Sequence, residues 1–146
     1  MRTVAALAAT VAVGLAGCGA ADDSTTTQAA PTATGQTEIV VTLDPDGKGG
    51  KPPLAEIVAC PGRDADACDA IDALPADPAA PVPSATACTE IYGGPDTLAI
   101  QGTLHGEPID ARFTRSDGCE IDRFDRFVPL LKALFPDYEP GAALGA

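Results

Sequence analysis

Residues 97–115, TLAIQGTLHGEPIDARFTR, decide the fold. In the first half Leu98, Ile100 and Leu104 fall on one face of an extended chain. In the second half Ile109, Ala111 and Phe113 alternate with Asp110, Arg112 and Thr114. Successive side chains of a strand point to opposite faces, so a two-residue period marks a half-buried strand. His105-Gly106-Glu107 supplies a turn between the two runs, which makes the stretch a β-hairpin with one face toward a core.

The pattern continues outward on both sides. EIVVTL (38–43) places Ile39, Val41 and Leu43 on one face and predicts a strand. Asp44-Pro45-Asp46-Gly47 then carries strong turn chemistry, and AEIVAC (55–60) predicts a second strand paired with the first. The D-x-D-G fragment has the start of a calcium loop without its terminal Glu or further ligands, so the turn is the reading taken. DADACDAIDAL (64–74) puts Ala67, Cys68, Ile71 and Leu74 at helical spacing behind Asp64, a candidate N-cap. The proline-rich stretch 75–83 stops that helix. Ser116-Asp117-Gly118 reads as another turn, leading directly to Cys119. Residues 123–135 then carry Phe124, Phe127, Leu130, Leu131, Leu134 and Phe135 among charges, with Pro129 suited to the first turn of a helix reaching Phe135. Its apolar stripe is read as core. The expected fold is α+β: an antiparallel sheet of about five strands covered by one or two helices, spanning residues 37–136, with 137–146 a frayed tail.

Composition removes several function classes. Of the 146 residues, 9 are Lys or Arg and 21 Asp or Glu, a net charge of -12. A sequence-independent hold on nucleic acid needs clustered cations that displace counterions, so nucleic acid is not an expected partner. The absence of Trp leaves few stacking platforms. The single His excludes a His-rich metal site. It could join Ser116 and Asp117 in a catalytic relay, but His105 sits in a hairpin turn, and nothing nearby reads as a nucleophile elbow or oxyanion loop. The chain is therefore read as a non-enzyme without metal or cofactor. The acidic residues from Asp64 to Asp77 read as a solvated helix face.

The N-terminus and the cysteines set the compartment. Arg2 precedes an apolar run from Val4 to Leu15, too short for the roughly 20 residues of a membrane-spanning helix. It fits the apolar region of an export signal. Leu15-Ala16-Gly17-Cys18 resembles a bacterial lipobox, which implies a signal at 1–17, diacylglycerol on Cys18 and attachment to the outer face of the membrane; the alternative is an ordinary secretory signal and a secreted chain. Residues 18–36 read as the lipidated Cys and a flexible tether. With Cys18 assigned to lipid, Cys60, Cys68, Cys88 and Cys119 remain, and an even count outside the cytosol reads as two disulfides with three possible pairings.

The segment between Pro83 and Pro95 is polar, rich in Pro and Gly, and anchored by Cys88. Cys88-Thr89-Glu90-Ile91-Tyr92-Gly93-Gly94-Pro95, with the hairpin and Asp117-Gly118-Cys119-Glu120 after it, resembles the subtilisin-inhibitor-like family of serine-protease inhibitors of actinobacteria. V-A-C-P-G at 58–62, A-C-D-A at 67–70 and the first strand occur in matching order, so the resemblance covers about residues 38–124. It implies 60–68 and 88–119 disulfides, a homodimer, and a substrate-like reactive loop directed at extracellular serine proteases. The scissile bond would be Glu90–Ile91, flanked by Thr89, Tyr92, Gly93, Gly94 and Pro95. Asp117 stands where the family more often has an Asn that supports the loop, and a carboxylate accepts hydrogen bonds without donating any. Three more departures are the short 60–68 loop, a C-terminal helix beyond the family's ordinary end, and Glu90, whose charge suits a Glu-selective target better than the apolar pocket of a subtilisin-like one. The alternative is a non-inhibitory envelope lipoprotein that uses the same scaffold as a binding module.

Overall fold

A computed structural model describes residues 35–47, 50 and 52–142. The expected signal, Cys18 and nearly all of the tether lie outside these residues. The elements are β1 (Thr37–Asp44), β2 (Leu54–Cys60), α1 (Ala65–Asp72), β3 (Thr97–Leu104), β4 (Glu107–Phe113), α2 (Gly118–Asp125) and α3 (Val128–Leu134). The strands form one antiparallel sheet in the order β2-β1-β3-β4. Its centre is the pair β1–β3, in register with Val41 opposite Ile100, and Ile100 in turn faces Ala111 of β4.

Alternation explains which face is covered. Ile39, Val41, Leu43, Leu98, Ile100 and Phe113 are essentially inaccessible to solvent, while Glu38, Gln101 and Asp110 on the opposite face are exposed. The helices supply Ala67, Ile71, Phe124, Leu130 and Leu131 to the same core, Phe127 joins them from the break between α2 and α3, and α1 packs against α3. The Phe113 and Phe127 rings meet at 4.6 Å between centroids, joining the last strand to the start of α3.

The fold is α+β, as read from sequence, with two corrections. The sheet has four strands instead of five, because residues 75–96 carry the proline-rich stretch and an irregular loop, and proline cannot donate to a ladder. Among the described residues three helices cover it instead of one or two. The turn read at 116–118 is the start of α2: the Asp117 carboxylate accepts from the N–H groups of Cys119 (2.9 Å) and Glu120 (3.0 Å), satisfying donors that a helix start leaves orphaned. The segment read as one helix is broken at Arg126–Phe127, after which Pro129 sits in the first turn of α3. Asp64 caps α1 through the Ala67 N–H, and Asp44 accepts from Gly47 N–H at 2.9 Å to make the turn after β1.

The tail departs from expectation as well. Within its described part, 137–142, Tyr138 is buried and the Gly141 N–H bonds Asp96, while Asp137, Glu139 and Ala142 are exposed.

Cys60–Cys68 and Cys88–Cys119 are bonded, at sequence separations of 8 and 31. Closing loops of those lengths restricts the unfolded chain by about 2.5 and 3.7 kcal/mol on the chain-entropy model. Such bonds persist in oxidising compartments, which places the domain outside the reducing cytosol. Among the described residues no helix is long and apolar enough to cross a membrane. Replacing Phe127, which is fully buried against Phe113, with Ala is expected to destabilise the domain by about 3–5 kcal/mol in urea denaturation. A loss below about 1 kcal/mol would show that α3 is not part of the cooperative core.

Candidate reactive loop

Two anchors separated by three residues organise the segment from Cys88 to Gly94. At the first, Cys88 is bonded to Cys119, and the next residue, Thr89, accepts the Gly118 N–H at its carbonyl (2.9 Å). The loop backbone thus lies directly on the first residues of α2. Gly118 allows that approach: a Cβ there would fall 2.1 Å from Thr89 Oγ1, well inside contact distance.

At the second anchor Arg115 grips Gly93 twice. The Gly93 N–H donates to the Arg115 carbonyl (2.8 Å), and Arg115 Nε donates to the Gly93 carbonyl (3.0 Å). The guanidinium pairs with Asp125 and lies over the Phe124 ring, 5.1 Å from its centroid. Arg115 is only 9% exposed, so its aim is set by packing as well as by charge. Phe124 and Asp125 belong to α2, which therefore supports both anchors.

Between the anchors Glu90, Ile91 and Tyr92 face solvent, with Ile91 62% and Tyr92 54% exposed. Bulky apolar side chains held outward on a short bridge are available to another molecule, whereas in a collapsed loop they would turn in. Upstream, α2 also fixes the approach to the loop. Arg123 donates to the carbonyls of Ala80 (2.9 Å) and Ala79 (3.2 Å), and Glu120 holds its guanidinium at 2.8 Å. Downstream, Gly94 and Asp96 are buried. The Tyr138 hydroxyl donates to Asp96 at 2.9 Å. Burial first and this carboxylate second push the Tyr138 pKa well above its ordinary value, so the hydroxyl stays a donor.

The structure brings the expected loop residues together around Glu90 and Ile91, and it gives Asp117 a different place. Asp117 caps α2 and accepts from the Ser116 hydroxyl (3.3 Å); the donors to the loop are the Gly118 N–H and Arg115 Nε. Asp117 thus acts on the loop through the helix it starts. Sequence reading missed Arg115, although the parity of Ile109, Ala111 and Phe113 carries on to residue 115 and puts a charged side chain on the core face. Asp125, Asp96 and Tyr138 were missed too, since nothing local marks their partners.

Two other groupings lead nowhere chemically. Potential ligand atoms of Cys88, Asp117 and Cys119 lie within 4.8 Å of one another, but both sulfurs are tied in the disulfide and offer no thiolate. His105 Nε2 lies 3.2 Å from the Ile71 carbonyl, so its ring faces α1, whereas Asp117 is engaged with α2. Comparison with protein-family models, curated proteins and solved structures finds no match.

Replacing Arg115 with Met keeps an apolar stem beside Phe124 and removes the ion pair and the side-chain bond to the Gly93 carbonyl, while the Gly93 N–H keeps its backbone acceptor at residue 115. A charge-assisted hydrogen bond of this kind is worth about 1.5–3 kcal/mol, and that loss of stability is expected in urea denaturation. Faster amide exchange at Gly93 should accompany it. Unchanged exchange at Gly93 would mean that the Arg115 side chain does not hold the loop.

Proposed function

We propose that the chain is an exported inhibitor of serine endopeptidases, anchored by lipid on Cys18, whose loop enters the protease cleft with Glu90–Ile91 as the scissile bond. The observation that carries this reading is the bridge itself: three exposed residues suspended between anchors at Thr89 and Gly93. A substrate must be ordered into an extended strand on binding, and each immobilised side chain subtracts from affinity. A loop already held in place avoids most of that loss. The likeness of C-T-E-I-Y-G-G-P and D-G-C-E to the subtilisin-inhibitor-like family supports the same reading.

The chemistry follows from the anchors. The protease serine oxygen attacks the Glu90 carbonyl carbon, the bond to the Ile91 nitrogen breaks, and the serine proton passes through the enzyme's base to the departing amine. In an ordinary substrate the amine diffuses away and water hydrolyses the ester. Here Glu90 lies two residues from the Cys88–Cys119 bond and Ile91 two residues from the Arg115 grip. The amine stays beside the ester, attacks it, re-forms the peptide and returns the proton to serine. Religation outpaces release.

Glu90 sets the target class. A carboxylate carried into an apolar specificity pocket is desolvated without a partner, which is strongly unfavourable, whereas a cationic or His-lined pocket pairs with it. The reading therefore favours a Glu-selective serine protease over an ordinary subtilisin.

The test is a titration of residual activity with the full-length chain against both enzymes. Stoichiometric inhibition of the Glu-selective enzyme is expected. Glu90→Met should tighten inhibition of subtilisin about 30-fold or more and weaken inhibition of the Glu-selective enzyme by a similar factor. Full activity of both enzymes at large molar excess would overturn the reading and favour the non-inhibitory binding module.

A further inference from the structure

We propose that the C-terminal segment 135–142 braces the far flank of the loop, with Tyr138 as a positioning residue that acts through Asp96. This rests on the inhibitor reading and deepens it, because it concerns how long the cut loop stays closed.

Asp96 follows Pro95 at the end of the loop and is 1% exposed. A carboxylate removed from water in this way needs donors, and the tail supplies them: the Tyr138 hydroxyl at 2.9 Å, and the Gly141 N–H at 3.2 Å from one oxygen and 3.4 Å from the other. The tail is fixed in turn by Tyr138 N–H to the Phe135 carbonyl (2.9 Å), Ala142 N–H to the Glu139 carbonyl (3.2 Å) and the Lys132–Glu139 pair.

That arrangement presses the tail backbone onto the loop. Gly94 (φ 127°) and Gly141 (φ 73°) meet face to face: a Cβ on Gly94 would lie 3.0 Å from the Gly141 Cα and 2.5 Å from Asp96 Oδ2. A Cβ on Gly141 would lie 2.7 Å from the Gly93 carbonyl oxygen. Gly93 is thus gripped by Arg115 and also has Gly141 of the tail packed against its carbonyl.

The two sides of the scissile bond are held unequally, which gives the brace its purpose. The Glu90 side is tied by a disulfide; the Ile91 side is held by hydrogen bonds and packing. Once the bond is cut, return of the Ile91 amine to the ester depends on how firmly Gly93 and Gly94 are seated. Loosening the brace leaves docking of the intact loop nearly unchanged and lets water compete for the ester.

Tyr138→Phe removes the hydroxyl alone, and Gly141→Ala disturbs the contact with Gly93 while leaving Tyr138 in place. In the full-length chain, both are expected to speed amide exchange at Gly93 about tenfold or more, a readout that needs no protease. With the inhibited protease, both are expected to raise kcat for cleavage at Glu90–Ile91 by about tenfold or more, with KM within about threefold and no earlier cut elsewhere. If the parent chain neither inhibits nor is cut at Glu90–Ile91, the inhibitor reading fails, and the exchange result alone decides the brace. Unchanged exchange in both variants would overturn the brace. Cutting at scattered bonds before Glu90–Ile91 would overturn it as well, by showing general destabilisation.

Discussion

The start of helix α2 is the constraint on which the rest of the loop depends. Three consecutive residues there do separate tasks. Asp117 caps the helix, Gly118 donates its N–H to the Thr89 carbonyl, and Cys119 carries the covalent tie to Cys88. Without the cap, the N–H groups of Cys119 and Glu120 would lose their acceptor at the point where the loop must be held. The same helix then presents Phe124 and Asp125 to Arg115 and, through Arg123, secures the carbonyls of Ala79 and Ala80. One short helix fixes the entry, the near anchor and the far anchor.

Much of the scaffold was legible because its signals are local. β1, β3 and β4 show the two-residue period over six or more positions, and α1 shows an Asp cap ahead of helical spacing. β2 was legible too, although Ile57 points to solvent at 73% exposure on this edge strand. The beginning of α2 was not, because Ser-Asp-Gly is turn chemistry and capping chemistry alike. Glu120, at the third helical position after Asp117, was the available sign of a helix start. The packing of Tyr138 was not legible for a different reason. Pro136, Pro140 and Gly141 break any periodicity, and Tyr138 is buried by its bond to Asp96, a residue 42 positions away.

The candidate site divides in the same manner. The exposed bridge could be picked out by its polar, Pro- and Gly-rich composition beside Cys88. The anchors could not, since Arg115–Gly93 and Tyr138–Asp96 join residues 22 and 42 apart. Asp117, expected to support the loop, caps α2 in the structure, a place that a position-by-position likeness does not reveal.

Preorganisation of the bridge is the central claim, and backbone amide relaxation of Glu90, Ile91 and Tyr92 in the free protein tests it most directly. The account predicts order parameters of about 0.85, matching those of the sheet. Values below about 0.6 across these three residues, with a rigid sheet, would contradict it and leave an ordinary flexible loop in its place.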